Sequence, residues 1–290
     1  MAGECVRVAI VTIQDSNPDQ PRDHDAGNLV YLSECDAWID VVARITVDRP
    51  DLLILNQTDC SANGHVVSDE EDDLFDLGRD LGADIVAYYI QGDTAGFRGC
   101  AAHPPDRRGF WVGDTATQWT FVHELTHVVG DNRHETNMDN LMFSNTGSIT
   151  NPPPDLSEDQ CDRIADDGAM VDCVLRREGR LTFLRAHNVG SKFGPPTDQL
   201  DVEVVLRLDS DPEWAFGFQL RPGTDEAANY GMLDLLRTAF NENGRVRLDY
   251  RRTGVSSGVI LRVERMPAKR KGTRVGASAI QRQADVSEGS

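Results

Sequence analysis

The run His123-Glu124-Leu125-Thr126-His127-Val128-Val129-Gly130-Asp131-Asn132-Arg133-His134, followed by Asn140-Leu141-Met142, decides how this chain is read. On a helix, His123 and His127 stand one turn apart and project from one face, where two imidazole nitrogens can share a metal ion. Glu124 lies beside them without being needed as a ligand, and a carboxylate there can take a proton from an activated water and pass it on. Val122, Leu125 and Val129 recur at the spacing of a buried stripe, rotated away from the histidines, so one face packs and the other is left for chemistry. Thr115 with Gln118 has the spacing of a capping box and predicts a helix start near Ala116. Gly130 can take a left-handed conformation, end the helix and fold the chain back, which lets a third ligand come from the next few residues.

Two helix histidines, a glycine turn, a further histidine and then a methionine in a tight turn resemble the metzincin clan of zinc metallopeptidases. The chain departs from that pattern at one point. Where the clan places its third histidine, three residues after the glycine, this sequence has Arg133, and the histidine follows at His134. A guanidinium stays protonated and cannot ligate, so the third ligand is His134 or Asp131, with His134 favoured. The resemblance implies Zn2+ held by His123, His127 and His134, with Glu124 as the catalytic general base. The implied activity is a zinc-dependent endopeptidase in which the metal polarises the scissile carbonyl and activates a water. Met142 maps onto the methionine of the turn, as a packing floor beneath the metal. Many members carry tyrosine two residues later; Ser144 stands there, so oxyanion stabilisation falls to the metal or to backbone groups. The implied fold class is α+β, a mixed twisted sheet with a long active-site helix. Residues 97–102 would form its antiparallel edge strand along the cleft, where an extended peptide adds as a further strand.

The rest of the first half alternates strand and helix signals. Residues 6–12 read as a strand, 28–46 as a helix, 51–55 as a strand, 70–81 as an amphipathic helix through Leu74, Leu77 and Leu81, and 83–90 and 109–112 as further strands. The acidic block Asp69-Glu70-Glu71-Asp72-Asp73 reads as a solvated helix start; its order of oxygens does not match an EF-hand. After Asn151-Pro152-Pro153-Pro154, a helix is expected from Leu156 to about Val171.

From Arg180 onward the pattern is β-rich. Strands are expected at 181–184, 200–208, 215–220, 246–250 and 258–263, with one amphipathic helix at 232–240, giving a smaller β-rich α+β module. Phe216 and Phe218 share a strand face and read as core more than as an exposed platform with Trp214. His187 stands alone and reads as structural. The expected organisation is a zinc metallopeptidase domain at 1–174, an accessory module at 178–265 and a flexible tail at 266–290, which lacks aromatic residues and opens on Lys269-Arg270-Lys271.

A formal charge of -19 argues against nucleic acid as a partner, since phosphates would be repelled by most of the surface. No stretch is apolar and long enough to cross a membrane. The partner that the resemblance implies is a peptide or protein substrate. No basic leader precedes the apolar residues 5–13, so the expected place of work is the cytoplasm by default, with leaderless export as the other route. The six cysteines form no metal-ligand spacing; they read as reduced, buried apolar residues, with pairing after export as the other account, and Cys161 with Cys173 as the first pair to test. Two further functional classes stay open: a catalytically silent zinc-containing binding protein, and a proteolytic toxin or effector whose second module serves delivery.

Overall fold

The computed structural model describes residues 4–56, 60, 67–196, 198–223 and 225–267. Most of the expected tail, 266–290, lies outside the described residues. In chain order the elements are β1 (Glu4–Ile13), α1 (Gln20–Glu34), β2 (Ala37–Val47), β3 (Ile54–Leu55), α2 (Asp69–Asp76), β4 (Ile85–Ile90), β5 (Gly92–Asp93), β6 (Gly99–Cys100), β7 (Gly109–Gly113) and α3 (Thr120–Val128). They continue with α4 (Glu158–Ala165), β8 (Met170–Asp172), β9 (Leu175–Ala186), β10 (Val204–Leu208), β11 (Asp211–Phe218), α5 (Glu226–Asn241), β12 (Arg245–Arg252) and β13 (Ser257–Arg265).

The first half is built on a mixed sheet of order β2-β1-β4-β7-β6, parallel except for the last pair, which is antiparallel. Side chains alternate across a strand, and β1 shows it. Val6, Val8 and Ile10 face the core shared with α1 and α3, while Ala9, Val11 and Ile13 face the core closed by Leu74 and Phe75 of α2. A strand covered on both sides must be apolar almost throughout, which is why it reads as a continuous hydrophobic run. β8 pairs antiparallel with Glu4 to Val6, the part of β1 that β4 does not reach.

Several local expectations are corrected. The helix expected at 28–46 is two elements: α1 stops at Glu34, Asp36 takes a left-handed φ of 53°, and the β-branched run that follows pairs in parallel with β1. Long-range pairing overrides the helical pattern there. The expected helix to Val171 stops at Ala165, because Asp167 turns its carboxylate onto the backbone N–H of Gly130 and of Ala169, and the chain leaves into β8. The acidic block does start a helix, α2, with Ser68 and Glu71 forming a reciprocal capping box.

The cysteines are also corrected. All six are paired, as Cys5–Cys173, Cys35–Cys161 and Cys60–Cys100. Cys161 and Cys173 have different partners, since the fold carries one to the end of α1 and the other to the start of β1. In the loop-closure picture each link stabilises the fold by about 4–5 kcal/mol.

Strands β9 to β13 close a barrel of order β10-β11-β13-β12-β9. β9 with β10, β10 with β11, β12 with β13 and β9 with β12 pair antiparallel, β11 and β13 are parallel, and α5 enters between β11 and β12, the connectivity of an OB-type barrel. Phe216 and Phe218 lie inside it with Leu206, Leu248 and Tyr250 against Leu236 of α5. The segment between β9 and β10 lays Phe193, Leu200 and Val202 over the outer side of Val205 and Ala215. His187 in that segment bonds through Nε2 to the Val202 carbonyl at 2.7 Å. Arg252 of the barrel lies over the rings of Trp38 and Trp214, at 5.8 and 5.2 Å, and Arg251 pairs with Asp172.

Candidate metal centre

Helix α3 carries the motif into the fold. Phe121, Val122, Leu125 and Val128 bury one face against the sheet and α1, so the helix register is fixed and the opposite face is turned to a cleft. Its start is not where the sequence placed it. The helix begins at Thr120, not near Ala116, and Thr115 makes no capping box; the hydroxyls of Thr117, Thr120 and Thr146 instead bond to one another at 3.0–3.2 Å. Gly130 ends the turn with a φ of 80°, and Asp131 follows with 49°, two left-handed residues in succession. A Cβ on Gly130 would lie 2.7 Å from the Arg163 backbone, so the position also needs the absence of a side chain.

The double turn brings His134 back over the helix. The Nε2 atoms of His123, His127 and His134 stand 3.1–3.2 Å from one another. Asp131 is not in this group, while the three histidines together can hold a metal ion. His123 Nδ1 donates to the Leu141 carbonyl at 2.7 Å, and His127 Nδ1 to the Asn132 carbonyl at 2.5 Å. A carbonyl oxygen only accepts, so in the neutral ring the proton is on Nδ1 and the Nε2 lone pair is bare.

Burial keeps these rings neutral. It drives His123 down to about 3, helped by its histidine neighbours, and His127 down to about 4, and it lowers His134 as well. Two bare lone pairs 3.1 Å apart are not a hydrogen bond, and one proton on the third ring cannot satisfy both. A cation among them removes the repulsion. Tetrahedral zinc bonds of about 2.0–2.1 Å set their nitrogens about 3.3 Å apart, close to the observed spacing, so the donor set fits a zinc ion.

Glu124 points into the same cleft. Burial alone pushes its carboxyl up to about 8, and among the described residues no donor or cation bonds to it. A group so placed takes up and gives back a proton near neutrality. The cleft has a volume of about 1070 Å³ and is lined by residues 96–99 and 101–103 and by Ser144, Asn145 and Thr146, besides the motif residues themselves. β6 lies at the edge of the sheet along it, antiparallel to β7, as expected for 97–102 but only two residues long.

Met142 is fully buried in the main core, and its carbonyl accepts from the N–H of Glu135, next to His134, at 2.8 Å. The Asn140-Leu141-Met142 turn thus holds His123 through one carbonyl and the His134 segment through another.

Some parts of the site carried no motif. Gly99 is one: a Cβ there would lie 2.8 Å from Glu124 Cγ and Oε1, so β6 passes directly over the carboxylate. His103 also lines the cleft, with Nδ1 bonded to the Pro104 carbonyl. A glycine in a strand can signal a close backbone approach, but nothing in the sequence says what approaches.

No family model matches the chain, and no curated protein does. Among solved structures it is similar to a chain of a chaperone–substrate complex, with 14% identity over 56% of this chain and a TM-score of 0.39, spanning 33% of that chain. It is also similar to archaemetzincin from Methanopyrus kandleri, with 16% identity over 55% of this chain and 93% of that one and a TM-score of 0.36. Both likenesses are too distant to assign a family or an activity.

Proposed function

We propose that the chain is a zinc-dependent endopeptidase. The observation that carries this reading is the convergence of three neutral imidazole Nε2 atoms with a buried carboxylate, bonded by none of the described residues, in one cleft. His123, His127 and His134 are the residues that would hold the ion, and when bound it supplies Lewis-acid polarisation of a carbonyl and a lowered pKa for water.

The chain's own groups do the rest. The carbonyls of Leu141 and Asn132 keep the Nε2 lone pairs of His123 and His127 available by holding the other ring proton. Glu124 takes a proton from water and delivers it to the leaving amine; burial that raises its affinity for a proton suits it to both halves of that transfer. β6, the last strand of the sheet among the described residues, would orient an extended peptide by backbone pairing along the cleft. With Ser144 where a tyrosine would stand, no phenol assists the oxyanion from that position.

The substrate is a peptide or protein, and the role of the module expected at 178–265, whose barrel starts at Leu175 and follows a catalytic domain at 1–174, is accessory. Pairing of all six cysteines supports an oxidising compartment as the place of work, in preference to the cytoplasm. No helix among the described residues is long and apolar enough to cross a membrane.

Glu124→Gln is the test. It should keep metal bound and lose turnover of a mixed peptide library by at least about a thousandfold, while wild-type turnover should vanish with a chelator. Metal binding without chelator-sensitive cleavage by the wild type would favour a silent zinc-containing protein instead.

A further inference from the structure

We propose that α4 sets the geometry of the candidate metal centre, with Gln160 and Arg163 as positioning residues for His123 and His127. This inference rests on the metal-site reading above. The two helix imidazoles are oriented by two backbone carbonyls in different loops, Leu141 O and Asn132 O. Both carbonyls lie outside the named strands and helices; backbone bonds from Leu141 N to the Asp155 carbonyl and from Glu135 N to the Met142 carbonyl tie the first loop to its neighbours, and buried side chains add to that support.

α4 supplies both supports from one face. Gln160 and Arg163 are three residues apart, and side chains at that spacing emerge side by side on a helix. The Gln160 amide pairs with the Asn140 amide, Asn140 Nδ2 donating to Gln160 Oε1 at 2.9 Å and Gln160 Nε2 to Asn140 Oδ1 at 3.3 Å. Asn140 Oδ1 in turn accepts from Met142 N at 2.8 Å, which fixes the turn around the Leu141 carbonyl. Arg163 Nε donates to Asn132 Oδ1 at 2.9 Å, and Asn132 Nδ2 donates to the Val129 carbonyl, which fixes the second loop.

Gln160, Asn140 and Asn132 are all buried, so these amides have no water to exchange with and their orientations are determined by one another. α4 is itself held at two points. Ser157 and Gln160 form its capping box, and Cys161, next to Gln160, is linked to Cys35 at the end of α1. One short helix therefore ties both ligand-orienting loops to the body of the fold. Loss of a partner bonded to a ligating histidine, here either carbonyl, typically changes metal affinity by about 10–100-fold, and the side chains that hold those carbonyls act through that same contact.

The experiment is Zn2+ competition titration and Co2+ absorption spectroscopy on the full chain, with disulfides verified intact and folding checked by circular dichroism. Arg163 is itself exposed, at the rim of that face, so Arg163→Ala should fold. It should bind Zn2+ about 10–100-fold more weakly and shift the Co2+ ligand-field bands, and Arg163→Lys should recover part of the loss. Asn132→Ala should weaken binding too, and the Asn132→Ala/Arg163→Ala double variant should be no weaker than Asn132→Ala alone, because Arg163 acts through Asn132. Gln160→Glu keeps the acceptor for Ser157 N and Asn140 Nδ2 but sets a buried carboxylate oxygen against Asn140 Oδ1 in place of the donor, so a loss in the same direction is expected, read beside thermal stability. Unchanged affinity and spectrum in Arg163→Ala, or additive losses in the double variant, would overturn the positioning role. A wild type that takes up neither ion would overturn the metal-site reading and this inference with it.

Discussion

Gly99→Ala isolates the contribution of Glu124 without touching any residue that would bind metal. The added methyl would sit 2.8 Å from Glu124 Cγ, 2.8 Å from Glu124 Oε1 and 2.8 Å from Thr120 Cγ2. Carbon atoms pack comfortably at about 3.5–4.0 Å, so the contact needs about 0.7–1.2 Å of withdrawal. Thr120 is pinned by hydroxyl bonds to Thr117 and Thr146, and its Cγ2 has little freedom to yield. The long side chain of Glu124, which no described residue holds by a hydrogen bond, is the group that gives way. A misplacement of about 1 Å at a reacting group costs about a hundredfold in rate, or about 2.7 kcal/mol in the barrier. The assay is kcat on a quenched fluorescent peptide, read beside Zn2+ content and thermal stability. The expected result is a hundredfold fall in kcat with stoichiometric metal retained. Wild-type kcat in a folded, metal-loaded Gly99→Ala protein would refute the placement of Glu124 under β6, and a parallel loss of metal would show that the effect runs through the histidines instead.

Other substitutions separate the remaining roles. His134→Ala should weaken Zn2+ binding by about a hundredfold or more, whereas Asp131→Ala should change it by less than about threefold; the reverse order in a competition titration would reassign the third ligand. Asp167→Asn should destabilise the fold by about 2–3 kcal/mol in urea, because the carboxylate accepts from Arg108, Gly130 N and Ala169 N. Burial works to raise the Asp167 carboxyl, but the bonds and charge of Arg108 and the two backbone donors outweigh it and hold it below the usual range. A group depressed in this way adds stability that is fully present above its unfolded pKa of about 4 and is lost as pH falls through the lower folded value. The wild type should therefore lose stability below about pH 4 more steeply than Asp167→Asn, and identical acid limbs would contradict the account. Phe216→Ala, at a fully buried position in the barrel, should cost about 3–5 kcal/mol by denaturant midpoint while leaving Zn2+ affinity of the folded protein unaltered.

The local parts of the site were legible in residue order because they depend on local periodicity. The face shared by His123 and His127, the buried stripe of Val122, Leu125 and Val129, and the stop at Gly130 follow from the pitch of a helix and the conformational freedom of glycine. The acidic cap of α2 and the facing of Phe216 and Phe218 are local in the same sense. Where a helical pattern at 28–46 met a strand partner, the partner decided, because the sheet hydrogen bonds of β2 are made to residues more than thirty positions away.

Tertiary structure alone decided the rest. Residue order left His134 and Asp131 both within reach of the helix; two left-handed residues in succession and the bond from Glu135 to Met142 determine that the His134 ring arrives. Gly99 over Glu124, the three disulfide pairings, the closed barrel and the α4 supports for Leu141 and Asn132 join positions between about 20 and 170 residues apart. Periodicity extends over one helix or strand, whereas the meeting of distant segments depends on how whole faces bury against each other. The sequence by itself determined that two histidines and a carboxylate share one helical turn; the packed fold determined which third group completes them and what holds their rings in place.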